Sequence, residues 1–195
     1  MTAQTIERID PARTALLVMD YQRGIVGRLP DADALLARAR DTIELLRSHG
    51  GTIGYVRVAF ADGEEPRGTM GKLITTERLP MLHADAPGTQ IHDQVAPQDK
   101  DIVVRKVRVG PFGTTDLHEQ LQARGIDTLL LAGVSTSGVV LSAVRDGHDR
   151  DYRLIVLEDL TADPDQEVHD FLLQRIFPRQ AEVISSAGLN GLLQL

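Results

Sequence analysis

The chain has no cysteine and no tryptophan in its 195 residues. The missing thiol excludes disulfides, thiolate metal sites and a cysteine nucleophile. Aromatic residues make up only 4%, so the core must be built mainly from aliphatic side chains. Long apolar runs are also missing, and a membrane-spanning helix needs about 20 such residues. Residues 1–10, MTAQTIERID, carry charges where an export signal would have its apolar segment, so a cytoplasmic protein is expected. Cations are scarce as well: 21 Lys and Arg against 28 Asp and Glu leave a net charge of −7. Nucleic-acid binding needs clustered cations to neutralise phosphates, so that class is disfavoured.

What remains is an ordinary globular composition, 42% hydrophobic and 25% charged. It is enough for one full core and a single domain over residues 1–195. Six short runs rich in Val, Ile and Leu, bounded by Gly, Asp or Pro, predict strands at 14–20, 52–59, 101–106, 127–133, 152–158 and 181–185. Apolar residues at helical spacing predict helices over 31–49, 115–124, 137–149 and 165–177. Gly50 and Gly125 close the first two as C-caps, and Pro178 stops the last. Near-continuous apolar strands alternating with helices imply a three-layer α/β/α fold around a mainly parallel sheet of six strands. Residues 61–98 break the pattern with Pro66, Pro80, Pro87 and Pro97 and few large apolar residues. So long a connection reads as a lid, a substrate-binding loop or a set of short helices.

Ligands of open parallel sheets bind beyond the carboxyl ends of the strands. The polar residues ending the predicted strands are Asp20, Lys106, the Ser135-Thr136-Ser137 turn and Asp159. Asp20 by itself reads as a turn residue or as a general acid or base. Lys106, one of three lysines in the chain, reads either as a solvated edge residue or as a partner for Asp20. The sequence Gly133-Val-Ser-Thr-Ser-Gly138 runs from strand to helix, where backbone N–H groups can hold an anion. It misses the Gly-x-Ser-x-Gly elbow because Ser137 stands at the second glycine, and no histidine is positioned as a triad partner. His83 and His92, with Asp85 and Asp93 nearby, match no metal-ligand spacing, so no metal is expected. No Gly-rich nucleotide fingerprint follows the first strand.

Taken together, these blocks resemble the isochorismatase-like hydrolases, also called the cysteine hydrolase superfamily. The resemblance covers nearly the whole chain. It rests on Ala15-Leu-Leu-Val-Met-Asp-Tyr-Gln22, on Val104-Arg-Lys-Val-Arg-Val-Gly-Pro-Phe-Gly-Thr-Thr-Asp-Leu117 and on Leu131-Ala-Gly-Val-Ser-Thr-Ser-Gly-Val-Val140. Tyr152 to Asp159 and Phe177 to Glu182 agree with it.

The resemblance implies a cofactor-free hydrolase with Asp20 and Lys106 as its catalytic pair. It places the family's cysteine at Val139 and a cis peptide at Val134–Ser135. Valine has no nucleophilic atom, so amide hydrolysis through a thiolate is lost. The isochorismatases proper also lack that cysteine and commonly carry glycine there. In them an Asp is the acid/base group and water attacks a vinyl ether, a route that Asp20 and Lys106 would still allow. Gln22, Phe112, Ser135, Thr136, Ser137 and Val139 are expected to line the pocket, with Arg57 as a carboxylate anchor. The expected partners are a small carboxylated substrate and further copies of the chain, in a homodimer or larger homo-oligomer. Two rival readings are a catalytically silent relative that binds a metabolite or protein, and an amide hydrolase using Ser135 or Ser137.

Overall fold

The computed structural model describes residues 7–74 and 77–193. Six parallel strands form one sheet in the order β3-β2-β1-β4-β5-β6. They are β1 (Thr14–Met19), β2 (Thr52–Val58), β3 (Ile102–Lys106), β4 (Thr128–Val134), β5 (Arg153–Ala162) and β6 (Glu182–Ile184). The helices are α1 (Arg23–Val26), α2 (Ala32–Ser48), α3 (Gly68–Leu73), α4 (Leu117–Ala123), α5 (Leu141–His148), α6 (Gln166–Phe171) and α7 (Ser186–Leu193). The central strands are apolar throughout because both faces are covered: every residue of β1 and of β4 is buried.

Side chains alternate between two cores. Ala15, Leu17 and Met19 of β1 join Leu117 and Leu121 of α4 and Ala143 and Val144 of α5 on one face. Leu16 and Val18 join α2 and Leu189 and Leu193 of α7 on the other. The three-layer architecture expected from the sequence is the one observed. Among the described residues no helix is long and apolar enough to cross a membrane.

Strand order reverses between β1 and β4, so the chain departs in opposite directions from their carboxyl ends and leaves a crevice there. Three differences from the sequence reading bear on it. Strand β5 runs to Ala162, beyond the predicted residue 158, because its register with β4 shifts between Leu131 and Gly133. Asp159 therefore lies inside the strand, and its carboxylate caps α7 by accepting from Ser186 N (2.7 Å) and Ser186 Oγ (2.6 Å). The helix predicted over 137–149 opens as a wide π turn at Thr136–Val140 before α5, and a second π turn follows α6 at Leu172–Ile176.

The connection 61–98, apart from residues 75 and 76 outside the described ones, contains α3 and three short 3-10 turns. It is fastened to the carboxyl ends of β1 and β2. His92 N donates to Tyr21 O (2.9 Å), Phe60 N to Leu82 O (2.9 Å) and Ala84 N to Phe60 O (2.8 Å). Residues 1–6, part of the stretch weighed as an export signal, lie outside the described ones.

Candidate active site

Lys106 ends β3, where Ile102, Val104 and Lys106 alternate inward and Val103 is 46% exposed. The side chain that could have been a solvated edge residue is instead among the largest fully buried ones. Its Nζ lies 2.8 Å from Asp20 Oδ2 and donates to Val109 O at 2.6 Å. The Asp20 side chain is 7% exposed and that of Lys106 2%, so the pair is sealed inside the protein.

Asp20 follows the last residue of β1 and takes a positive φ of 60°. Aspartate tolerates that left-handed backbone better than most residues. Its backbone N–H still donates to Val56 O (2.8 Å), which holds the turn on the sheet. Among the described residues Oδ1 is buried with no hydrogen-bond partner. Burial raises the carboxyl to about 6, and the neighbouring Lys106 charge opposes that rise.

The turn after β4 lies beside the end of β1, because β4 pairs with β1 as far as Met19 and Gly133. The peptide Val134–Ser135 is cis, as the resemblance implies. Gly133 has no side chain because none would fit: a Cβ there would lie 2.9 Å from Val140 Cγ2, 3.1 Å from Val139 Cγ1 and 3.3 Å from Met19 Cβ. The end of β1 and the π turn therefore meet over Gly133. Val139, where the resemblance places the family's cysteine, is 2% exposed and packs into the core with Met19 and Phe112.

Other expected site residues have different tasks. Gln22 is buried, and its Nε2 donates to Val58 O (2.9 Å) and Thr89 O (2.8 Å) while Oε1 accepts from Val58 N (2.8 Å). It joins β2 to the long connection. Arg57 points Nη1 at Ala84 O (3.2 Å) and Thr89 O (3.3 Å), so it is a second tether. Phe112 is 4% exposed and stacks on Tyr152 at 6.2 Å, with the Arg150 guanidinium 5.3 Å from its ring centroid. Ser137 is exposed, and its backbone N–H donates to Asp163 Oδ2 (2.8 Å). Thr136 is fully buried with Oγ1 2.7 Å from His169 Nδ1.

His83, considered for metal ligation, sits 3.7 Å from Asp62 and 3.8 Å from Asp85, while His92 Nδ1 accepts from Gln94 N within its own turn (3.3 Å). Sequence reasoning missed Asp163 and His169, which hold the turn from the β5–α6 side. No local pattern marks them, because the contacts span 26 and 33 residues.

A family model described as the isochorismatase domain matches residues 14–188. The chain belongs to the isochorismatase family. Isochorismatase family protein YwoC of Bacillus subtilis (strain 168) is 34% identical over 173 residues, 88% of this chain and 89% of that one. Phenazine biosynthesis protein PhzD of Pseudomonas fluorescens is 32% identical over 181 residues, 91% of this chain and 85% of that one. Among solved structures, a cysteine hydrolase from Pseudomonas syringae pv. phaseolicola 1448A superposes with a TM-score of 0.90. At 24% identity it covers 99% of this chain and 98% of its own, and so shows the shared fold. As an isochorismatase-family hydrolase without any cysteine, the chain has a buried carboxylate–lysine pair at the sheet's switch point and a buried valine at position 139.

Proposed function

We propose that this isochorismatase-family hydrolase cleaves the vinyl-ether C–O bond of a small carboxylated substrate, with Asp20 as general acid and water as nucleophile. The observation that carries the reading is the buried Asp20–Lys106 pair, with Lys106 on Oδ2 and Oδ1 unpartnered. An oxygen without a partner is free to carry and deliver a proton. A carboxyl raised to about 6 is poised near neutrality, where a general acid works best. Lys106 holds the carboxylate left after proton transfer, so the charge that develops is already paired. The apolar Val139 suits a route with no covalent intermediate.

A carboxylated substrate needs a cationic anchor. Arg57 is committed to Ala84 and Thr89. Two other arginines, Arg28 and Arg78, line a cleft of about 530 Å³ with Ile25, Met81 and Leu82. Gln22, two residues beyond Asp20, forms part of its wall. Apolar surface with a few cationic groups fits a small organic anion.

Protonation at the vinyl carbon leaves a mark in the product. Isochorismate turned over in D2O should yield pyruvate with one deuteron per methyl group, read by mass spectrometry of promptly quenched samples. Pyruvate formed without solvent deuterium would overturn acid catalysis at carbon.

A further inference from the structure

Acids outnumber Lys and Arg 28 to 21 in the chain, and four surface clefts each hold at least one carboxylate, among them Asp101, Glu182, Glu119 and Asp163. The cleft beside Gln22 holds two guanidiniums, Arg28 and Arg78, and no carboxylate. Arg28 follows α1 and Arg78 belongs to the long connection. Among the described residues neither side chain is ion-paired, whereas Arg23 at the start of α1 is bound to Asp93 (2.5 Å). The rest of the wall is largely apolar, with Ile25 from α1 and Met81 and Leu82 from the connection. Met81 is 55% exposed. Gly24 and Gly88, both in the wall, meet backbone to backbone: a Cβ at Gly24 would lie 3.0 Å from Gly88 O, and one at Gly88 3.9 Å from Met81 O. The cleft is therefore a seam where α1 and two turns of the connection converge. Gln22 ties its inner wall to Val58 (2.9 Å), which stands opposite Lys106 in the β2–β3 register.

We propose that this cleft binds a carboxylated ring, with Arg28 and Arg78 taking the carboxylate from two separate segments and the ring lying on Ile25, Met81 and Leu82. A bare inorganic anion would leave the apolar wall wet, and a neutral ring would gain nothing from the guanidiniums. A volume of about 530 Å³ lies in the range of clefts that take small organic ligands. The role in turnover rests on the vinyl-ether reading above: the ring is the half of the substrate released as the alcohol. Arg28 and Arg78 then set which alcohol half is accepted. The charge on a ring carboxylate does not change as the ether breaks, so the two arginines bind ground state and transition state alike. They contribute affinity and selectivity, and leave the chemical step to Asp20. A ligand held by both also fastens the connection to α1.

The test uses benzoate, with benzamide as its neutral isostere, in calorimetric titrations of wild type, Arg28→Ala, Arg78→Ala and Arg23→Ala, each checked for fold by thermal midpoint. Each cleft variant should weaken benzoate about 10-fold, as for a lost charged hydrogen bond. Arg23→Ala removes the same charge from outside the cleft wall and should leave benzoate binding unchanged. Benzamide should bind the wild type more weakly than benzoate and be indifferent to all three substitutions. Bound benzoate should slow amide exchange over residues 78–88. During pyruvate release from isochorismate, benzoate should raise KM without lowering kcat, and each cleft variant should raise KM about 10-fold with kcat within about twofold. Failure of wild type to bind benzoate, binding that survives both cleft variants, or an equal loss in Arg23→Ala would overturn the site and leave the acid standing. Inhibition through kcat would overturn the assignment to the substrate's alcohol half. Benzoate binding lost in both cleft variants, beside a wild type that releases no pyruvate, would sustain the site and remove the acid reading.

Discussion

At Asp20 two opposing effects meet. Burial penalises the carboxylate, the adjacent ammonium of Lys106 favours it, and burial is the larger, so the group sits at about 6. An acid donates only while protonated. The account therefore predicts that kcat/KM falls as pH rises through about 6. Lys106→Met removes the charge that favours the ionised form, so in that variant the falling limb should move to higher pH. A limb that stays in place, or moves to lower pH, would contradict the assigned coupling. Asn is the informative replacement at Asp20, because it tolerates the positive φ and still offers an oxygen to Lys106. At this scale the sequence was legible for the pair itself: two polar residues at the ends of apolar strands. Its burial was not, since the alternation around Lys106 fits a solvated edge equally well. The tasks of Gln22 and Arg57 were hidden too, because their partners are backbone carbonyls at residues 58, 84 and 89.

Among the elements, the strands were legible because apolar composition is dictated by burial on both faces. The π turns at Thr136–Val140 and Leu172–Ile176 were not. A wider turn leaves the apolar spacing of five residues almost unchanged, and periodicity cannot register it. The connection between β2 and β3 owes its shape to distant hydrogen bonds, which local propensity does not encode. Those bonds differ in weight. Gln22 makes three in a buried setting, so Gln22→Ala leaves buried backbone groups unpaired and should cost about 2–3 kcal/mol in denaturant unfolding. It should also speed amide exchange over residues 84–90. Glu64 is paired with Arg105 at 2.5 Å, and that contact pulls its carboxyl down to about 2. The pair is nevertheless solvent-accessible, so Glu64→Gln should leave the denaturant midpoint almost unchanged. Equal costs for the two variants would mean that the connection is not held mainly through Gln22.

For the whole molecule, topology does what no single segment could. Asp20 and Lys106 lie 86 positions apart in the chain, and the π turn a further 30 beyond Lys106 at Thr136. The strand order 3-2-1-4 brings all three to one end of one sheet. The winding reverses between β1 and β4, beside Asp20 and that turn, and Lys106 reaches Asp20 from across β2. A chain without a single thiol thus has an acid, a cation to steady it and a closely packed turn beside the end of β1. The reaction proposed for this site is organised around proton transfer. The most direct test is the initial rate of pyruvate release from isochorismate by the wild-type protein beside Asp20→Asn, with matched thermal midpoints. The account predicts turnover in the wild type and a loss of about 10²- to 10⁴-fold in the variant. Equal rates in the two proteins, or no pyruvate from a folded wild type, would contradict it.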